Sequence, residues 1–161
     1  MSKFLLFFFF LINLYAQNIS TNDDDKDMII NKYDKCPNTP DGVCVDKDGC
    51  TQEIKRVVYF DPSSYKINDK STIDMQNILE IAQECFGYDI IIKGYTDSTY
   101  TASYNLSLSK QRSQSIKKLL LLHNIDSKRI KTKWYGESAP ISTNVTKQGR
   151  ENNRRVEVIF R

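Results

Sequence analysis

The alternation of strand-like and helix-like segments is the feature that most constrains how this chain folds. Between residues 55 and 161, short β-branched and aromatic runs alternate with longer segments in which apolar residues recur every three or four positions. The predicted strands cover residues 56–60, 89–94, 129–136 and 155–160, and the predicted helices cover 67–85, 105–123 and, as a short helix, 147–152. This order predicts an α/β (α+β) sandwich, β-α-β-α-β-(α)-β, with helices packed on one face of a mixed four-stranded sheet.

Residues 1–16 have the pattern of a secretory signal peptide. Lys3 precedes an unbroken apolar run at residues 4–12, and Ala16 offers a small residue for cleavage. The competing interpretation is a retained membrane anchor, which is disfavoured because the run is shorter than the roughly 20 apolar residues that cross a bilayer. We therefore expect an exported protein, cleaved after Ala16, with no transmembrane segment after cleavage.

Charge divides the rest of the chain into two regions. After a polar linker at residues 17–22, residues 23–50 hold eight acidic and four basic residues, a balance of −4. Residues 51–161 hold twelve acidic and eighteen basic residues, a balance of +6, and Lys3 supplies the remaining +1 of the net +3. We call the first region the acidic head and the second the α/β domain.

Three arginines near the C-terminus need an explanation of their own. Arg150, Arg154 and Arg155 would favour nucleic-acid binding in a cytoplasmic protein. In an exported protein we instead expect them to form structural hydrogen bonds at the start of the last strand. Some attraction to anionic cell-wall material is also expected, and no nucleic-acid partner.

Four cysteines favour disulfides in an oxidising compartment. Cys36, Cys44 and Cys50 lie close together in the acidic head, and Cys85 stands apart at the end of the first predicted helix. Four cysteines allow three connectivities, and the sequence does not choose among them. A zinc site is the competing interpretation, which the absence of Cys-x-x-Cys spacing disfavours.

Alternating carboxylates open the acidic head with the spacing of a calcium-binding loop. The candidate ligands fall at positions 1, 3, 5, 7, 9 and 12 of a twelve-residue window, and they are Asp23, Asp25, Asp27, Ile29 (through its carbonyl), Asn31 and Asp34. Lys26 and Met28 occupy positions where such loops prefer glycine. The competing interpretation is a solvated acidic linker.

A carboxylate and a guanidinium meet near the second predicted helix. Asp97 lies on the loop that feeds this helix, and the helix places Asn105, Leu108 and Arg112 on one face. An aspartate accepts hydrogen bonds from an ammonium, whereas an arginine holds a carboxylate with two parallel N–H···O bonds. The pair therefore suits a zwitterionic ligand. On spacing alone, a direct ion pair between Asp97 and Arg112 is the simpler interpretation.

Short sequence motifs run through the α/β domain. They are Thr96-Asp97, Tyr104-Asn105, Leu108-Ser109, Arg112-Ser113, Gly136-Glu137, Pro140, Asn144 and the run at residues 149–157. Together they resemble the OmpA C-terminal (OmpA/MotB-type) peptidoglycan-binding domain, a family that includes the peptidoglycan-associated lipoprotein. The similarity extends from about residue 56 to residue 160. The acidic head resembles a thrombospondin type 3 repeat, which often precedes this domain in outer-membrane proteins.

The resemblance implies a ligand and the residues that contact it. The ligand is the meso-diaminopimelate of peptidoglycan stem peptides, whose distal carbon bears a free ammonium and a free carboxylate. Asp97 and Arg112 match the family residues that contact these groups. The other positions assigned to the pocket are Thr96, Tyr95, Asn105, Leu108, Phe60 and Asp61. Tyr100 departs from the family's usual glycine, which often serves a positive φ that tyrosine adopts only with strain.

The resemblance further implies a non-enzymatic protein of the Gram-negative periplasm, associated with the outer membrane. Its expected partners are peptidoglycan and outer-membrane or envelope proteins, with no cofactor beyond calcium in the acidic head. The alternative is a periplasmic protein-interaction module of an envelope complex without direct wall binding. An enzymatic interpretation would pair Asp61 with Asp97 as in a glycosidase. Arg112 disfavours it, because a neighbouring guanidinium keeps an aspartate ionised and unfit as the acid partner.

Overall fold

A mixed four-stranded sheet forms the centre of the α/β domain. The computed structural model describes residues 22–161, so the predicted signal peptide and most of the linker lie outside the described residues. The elements are β1 (Ile54–Tyr59), α1 (Thr72–Glu84), β2 (Ile90–Gly94), α2 (Ala102–Leu122), β3 (Ile130–Trp134), α3 (Lys147–Asn153) and β4 (Arg155–Phe160). The strand order is β1-β4-β2-β3, with β4 antiparallel to β1 and β2, and β2 parallel to β3. The predicted fold class is confirmed.

The core lies between the sheet and the two long helices. β4 runs between β1 and β2, and all of its residues are buried. Alternate residues of a strand share a face, so Val156, Val158 and Phe160 point to the same side of the sheet. They join a core that also contains Val58, Ile90, Ile92, Met75, Ile78, Ala82, Ile116 and Leu120.

Both long helices begin at residues other than those the apolar pattern predicts. The Asn68 side chain caps a 3-10 turn at Asp69–Ser71, which delays the start of α1. At α2, the Thr101 side chain accepts a hydrogen bond from the Tyr104 N–H, so the helix starts earlier than residue 105. At α2 a capping side chain therefore fixes the first turn, whereas Ser71, the residue before α1, makes no side-chain cap hydrogen bond.

Gly94 brings α2 unusually close to β2. A Cβ atom at this position would lie 2.2 Å from the Ser109 carbonyl oxygen and 2.3 Å from the Ser113 hydroxyl. Both serines are completely buried, and their small side chains leave room for the strand. The close approach fixes the first half of α2 above the end of β2, where the predicted pocket residues lie.

The acidic head has little regular structure and is held by disulfides. Among the described residues, the only β-pairing of the head is one isolated bridge between Val45 and Thr51. Cys36 bonds Cys50 within the head, and Cys44 bonds Cys85 at the end of α1. The head therefore sits against the N-terminal ends of β1 and β2. None of the helices formed by residues 22–161 combines the length and hydrophobicity that a bilayer crossing requires.

Candidate functional site

The candidate site lies at the sheet edge opposite the acidic head. β1 and β2 both run antiparallel to β4, so their C-terminal ends lie beside the N-terminal end of β4. In the register, Tyr59 is opposite Arg155 and Gly94 is opposite Val156. The loops that leave this edge therefore bring together three parts of the chain that are distant in sequence.

Arg112 is completely buried at the centre of this edge. It leaves α2 and donates to three backbone carbonyl oxygens, from Nε to Ser64 at 2.8 Å, from Nη1 to Tyr95 at 3.0 Å and from Nη2 to Asp61 at 3.0 Å. Each terminal nitrogen carries two N–H groups. Among residues 22–161, one N–H on each terminal nitrogen is therefore left without an acceptor. Burial lowers the pKa of Arg112 to about 10, so the group stays charged at neutral pH.

Asp97 pairs with Arg154. The Arg154 Nη1 donates to Asp97 Oδ2 at 3.0 Å, and the Thr99 backbone N–H donates to Oδ1 at 3.2 Å. The direct ion pair between Asp97 and Arg112 is therefore wrong, because Arg112 is turned toward backbone carbonyls. Burial alone would raise the pKa of Asp97, but the hydrogen bonds from Arg154 and Thr99 outweigh it and hold the pKa below its ordinary value.

Arg154 is the site residue that the sequence analysis missed. Its Nε donates to the Phe60 carbonyl at 3.1 Å, so it joins the end of β1 to Asp97. The expected structural hydrogen bonds at the start of β4 are confirmed for Arg155, which donates to the Glu157 carboxylate and the Ala139 carbonyl. Arg150 instead donates to the Asn144 and Val145 carbonyls, which precede α3. The strand order was the missing information. Once β4 is known to neighbour β2, the residue before β4 must lie beside the loop that follows β2.

Thr96 and Asn105 are buried, and each has a polar side-chain atom without a hydrogen-bond partner. Thr96 Oγ1 and Asn105 Oδ1 have no hydrogen-bond partner within the described part of the chain. Asn105 Nδ2 donates to the Tyr100 carbonyl at 3.0 Å and also to the Glu137 carboxylate. Unpartnered buried polar atoms are uncommon in folded proteins. Leu108, 4% exposed, lies one turn further along the same helix face.

The remaining predicted pocket residues act mainly through their backbones. Asp61 and Tyr95 each supply a carbonyl oxygen to Arg112. The Tyr95 ring stacks on Tyr135 with centroids 5.2 Å apart, and burial raises the pKa of Tyr95 to about 12. The Phe60 ring lies 5.3 Å from the Arg112 guanidinium carbon, within cation–π range.

Tyr100 links the loop after β1 to the loop after β2. Its hydroxyl lies 2.5 Å from the Ser63 hydroxyl, and its ring packs on Tyr104 with centroids 4.8 Å apart. In residues 22–161 the non-glycine positions with positive φ include Ser63 but not Tyr100. The substitution of the family's usual glycine therefore introduces no left-handed tyrosine. It adds a side chain that bridges the two loops whose carbonyls surround Arg112.

The first half of the acidic head brings three carboxylates together. One oxygen each of Asp23, Asp25 and Asp27 lies within 4.8 Å of the others. Asp25 Oδ1 and Asp27 Oδ2 are buried atoms without a hydrogen-bond partner within the described region. Asp23 differs, because its two oxygens accept the Lys26 and Met28 N–H groups at 2.8 Å and 2.9 Å.

The other candidate calcium ligands are arranged less favourably. Asn31 Oδ1 accepts the Asp24 N–H at 3.0 Å, so this amide serves the backbone. The Asp34 and Asp27 carboxylates both lie next to Gly49. A Cβ atom at Gly49 would be 2.1 Å from Asp34 Oδ1 and 3.0 Å from Asp27 Oδ2. Ile29 donates its N–H to Asp27 Oδ1 at 2.8 Å.

Lys26 and Met28 adopt the backbone conformation that favours glycine. Their φ angles are 63° and 75°. The expectation that glycine is preferred at these two positions is thus confirmed by their geometry. Each residue bears the steric cost of a left-handed backbone, which weakens the loop relative to one with glycines.

Comparison with known proteins identifies relatives of the α/β domain. A model of the OmpA family matches residues 59–154. Outer membrane porin F of Pseudomonas aeruginosa is 35% identical over 142 residues, which are 84% of this chain and 41% of that protein. The probable lipoprotein YiaD of Escherichia coli is 31% identical over 125 residues, which are 78% of this chain and 57% of that protein. The chain thus spans about half the length of the curated relatives it matches.

Solved structures share the fold. The peptidoglycan-associated lipoprotein from Burkholderia pseudomallei superposes with a TM-score of 0.62 at 25% identity, covering 66% of this chain and 90% of that one. The C-terminal domain of Helicobacter pylori MotB gives a TM-score of 0.60 at 25% identity, covering 65% of this chain and 83% of that one. With a family model that matches more than half of its length, this chain belongs to the OmpA family.

Proposed function

We propose that the α/β domain binds peptidoglycan non-covalently through the meso-diaminopimelate of the stem peptide and so anchors the cell envelope from the periplasm. The observation that carries this proposal is the Arg112 guanidinium, buried and charged, with one N–H of each terminal nitrogen still available. Such a pair of N–H groups matches the two oxygens of a ligand carboxylate. Relatives named for peptidoglycan association and for outer-membrane location support the same role. The role is one of binding, without catalysis.

Asp97 supplies the complementary charge for the ligand ammonium. Its two oxygens accept one hydrogen bond each from the protein, from Arg154 and Thr99. An ionised carboxylate has further acceptor capacity on both oxygens. Arg154 holds this carboxylate in place and keeps it ionised. A ligand bearing an ammonium and a carboxylate on one carbon would then satisfy Asp97 and Arg112 together.

Co-sedimentation with purified sacculi tests the proposal. The mature protein should sediment, whereas Asp97→Ala and Arg112→Ala should stay in the supernatant. Glu80→Ala and Lys118→Ala are matched controls, since both side chains are exposed on helices outside the site, and both variants should sediment. Circular dichroism must show each variant folded. A folded wild type that stays soluble would reject wall binding and leave the protein-interaction module as the function.

Binding should depend little on pH between about 5 and 8. The pKa of Asp97 lies below its ordinary value, so its carboxylate is ionised throughout this range and loses charge only as the pH falls through that lowered pKa. Arg112, with a pKa of about 10, is protonated over the same range. Titration calorimetry with a stem peptide at several pH values measures the profile. A steep loss of affinity between pH 7 and pH 5 would contradict this assignment, since neither group titrates there.

Tyr100→Phe should accelerate ligand binding about fivefold. The Tyr100 hydroxyl ties the loop after β1 to the loop after β2 through Ser63, and Arg112 is completely buried. We therefore expect these loops to separate when a ligand reaches Arg112. One such hydrogen bond contributes about 1 kcal/mol, which corresponds to about a fivefold change. Surface plasmon resonance on immobilised wall fragments gives the association rate. Tyr33→Phe, which changes an exposed tyrosine of the acidic head, is the control. Slower binding by Tyr100→Phe would mean that the hydroxyl contacts the ligand instead.

We also propose a weak calcium site at Asp25 and Asp27 in the acidic head. The buried, unpartnered oxygens of these two residues support it, because a hard cation takes several oxygen ligands. Asp23 lies near enough to contribute a further oxygen. The strained backbone at Lys26 and Met28 weakens the loop, so the affinity should resemble that of extracellular calcium modules, with a Kd on the order of 0.1–1 mM.

Calcium should therefore raise the melting temperature of the mature protein. At ten times the Kd, binding to the folded state adds about 1.4 kcal/mol, or a shift of about 4 °C. Scanning calorimetry in calcium and in chelator measures the difference. Asp25→Asn with Asp27→Asn should abolish the shift, whereas Asp24→Asn, an exposed neighbour, should retain it. Equal melting temperatures in saturating calcium and in chelator would leave the acidic segment a solvated linker.

A further inference from the structure

A polar cleft adjoins the proposed diaminopimelate site and is not used by it. Its volume is about 410 Å³, within the size range of small-molecule sites. The cleft lies between the end of β1, the start of α1 and the exposed side of α3. Phe60, Asp61 and Arg154 line it, and these same residues take part in the site described above. The cleft and the site are therefore contiguous.

Arg154 connects the cleft to the proposed diaminopimelate site, and some of its N–H groups remain free to donate into the cleft. Its Nε donates to the Phe60 carbonyl and its Nη1 to Asp97. Within residues 22–161 its Nη2 has no hydrogen-bond partner, although Arg154 is only 9% exposed and lines the cleft. The Nη2 atom is not among the buried polar atoms that lack a partner, so it is open to solvent and can donate to an acceptor oxygen of a ligand in the cleft. The cleft thus offers a placed donor for a ligand.

The charges of the cleft exclude an acidic ligand. Asp61, Asp74 and Glu151 contribute three carboxylates. Lys70 contributes a cation, while the charge of Arg154 is already balanced by Asp97. A second ligand carboxylate would face net repulsion here. A neutral ligand rich in hydroxyl and amide groups would instead donate to the carboxylates and accept from Arg154.

Two amide side chains and an aromatic ring also line the cleft. Gln148 and Asn152 lie one turn apart on α3, and the Gln148 Nε2 donates to the Asn152 Oδ1 at 3.2 Å. Each amide still has donors or acceptors that face solvent. Tyr59 lines the opposite side and is 44% exposed, so it offers part of an apolar face. Amides, carboxylates and an aromatic face together suit a sugar that carries an acetamido group.

We propose that this cleft binds an N-acetylated amino sugar of the wall glycan while the adjoining site holds the stem peptide. The proposal rests on the proposed function and extends it. The sugar and the diaminopimelate belong to one ligand, joined by a short peptide that spans at most about 3.5 Å per residue. Contiguity of cleft and site is what such a ligand requires. The recognised unit is then a disaccharide-peptide, and the peptide alone is only part of it.

Titration calorimetry with two probes tests the proposal. One probe is the diaminopimelate stem tripeptide, and the other is the same tripeptide bearing its N-acetylated disaccharide, released from sacculi by a muramidase. The wild-type protein should bind the disaccharide form about tenfold more tightly, as two or so added hydrogen bonds would give. Gln148→Ala with Asn152→Ala should lose this tenfold gain and keep the affinity for the tripeptide. Gln114→Ala, an exposed glutamine of α2, is the matched control and should keep both.

Two results would overturn the cleft assignment by itself. The first is that the wild type binds both probes with equal affinity. The second is that the variant with Gln148→Ala and Asn152→Ala still binds the disaccharide form more tightly than the tripeptide. In both cases the tripeptide still binds, so the proposed function stands. If neither probe binds the folded wild type, the proposed function fails and the cleft assignment falls with it.

Discussion

Arg112→Lys should weaken binding of a diaminopimelate stem peptide about 100-fold, because a lysine ammonium cannot hold a carboxylate with two parallel bonds. The same change leaves the carbonyls of Asp61, Ser64 and Tyr95 with at most part of their present hydrogen bonding. We therefore also expect the free energy of unfolding to fall by about 2–4 kcal/mol. Titration calorimetry and urea denaturation measure the two effects separately.

A companion variant separates ligand binding from stability. Asp97→Asn removes the charge that attracts the ligand ammonium and keeps the shape of the side chain. It should lose affinity while the three hydrogen bonds of Arg112 remain in place. If Arg112→Lys is destabilised but binds the peptide as tightly as the wild type, Arg112 is a structural residue only. The proposed carboxylate contact would then have to be abandoned.

Removing the disulfide between Cys44 and Cys85 should have the largest effect on stability. The bond closes a loop with a sequence separation of 41 residues. Chain-entropy arguments give a loop of this length about 4 kcal/mol, or a loss of about 10 °C in melting temperature. Scanning calorimetry of Cys44→Ala with Cys85→Ala measures it.

The second disulfide provides the comparison. Cys36 and Cys50 are separated by 14 residues, so their removal should cost about 3 kcal/mol and act within the acidic head. We expect calcium binding to suffer more from this change than from loss of the first bond. If the Cys44 and Cys85 double variant has the same melting temperature as the wild type, the acidic head does not contribute to the stability of the α/β domain.

The sequence predicts the fold well because strand and helix periodicities agree with the packing of most elements of the α/β domain. β4 departs from this, since its sequence alternates but all of its residues are buried. Ile90, Ile91 and Ile92 form a continuous apolar run, and the structure accordingly buries all three in the interior of the sheet. Element boundaries were less accurate, since the Asn68 cap starts a 3-10 turn ahead of α1 and the Thr101 cap starts α2. A capping side chain is one polar residue among many, and periodicity does not single it out.

The candidate site shows what a single sequence leaves open. Helical spacing placed Asn105, Leu108 and Arg112 on one face, and the structure has them there. The partner of Asp97 was not predictable, because Arg154 reaches it only through the adjacency of β4 and β2. The disulfide pairing was also open, because no local pattern indicates that the irregular acidic head contacts the end of α1. Proximity across a sheet is decided by strand order, which local patterns do not encode.

The placement of head and site at opposite ends of the sheet has a mechanical consequence. A pull applied to the acidic head and resisted at the wall would run along the strands, over about 20 Å. The hydrogen bonds between β1 and β4 lie across that direction, so the six paired residues from Ile54 to Tyr59 would share the load in shear. The bond between Cys44 and Cys85 passes part of the same tension directly into α1. If the domain binds the wall as proposed, these paired residues would resist the pull together and not one by one.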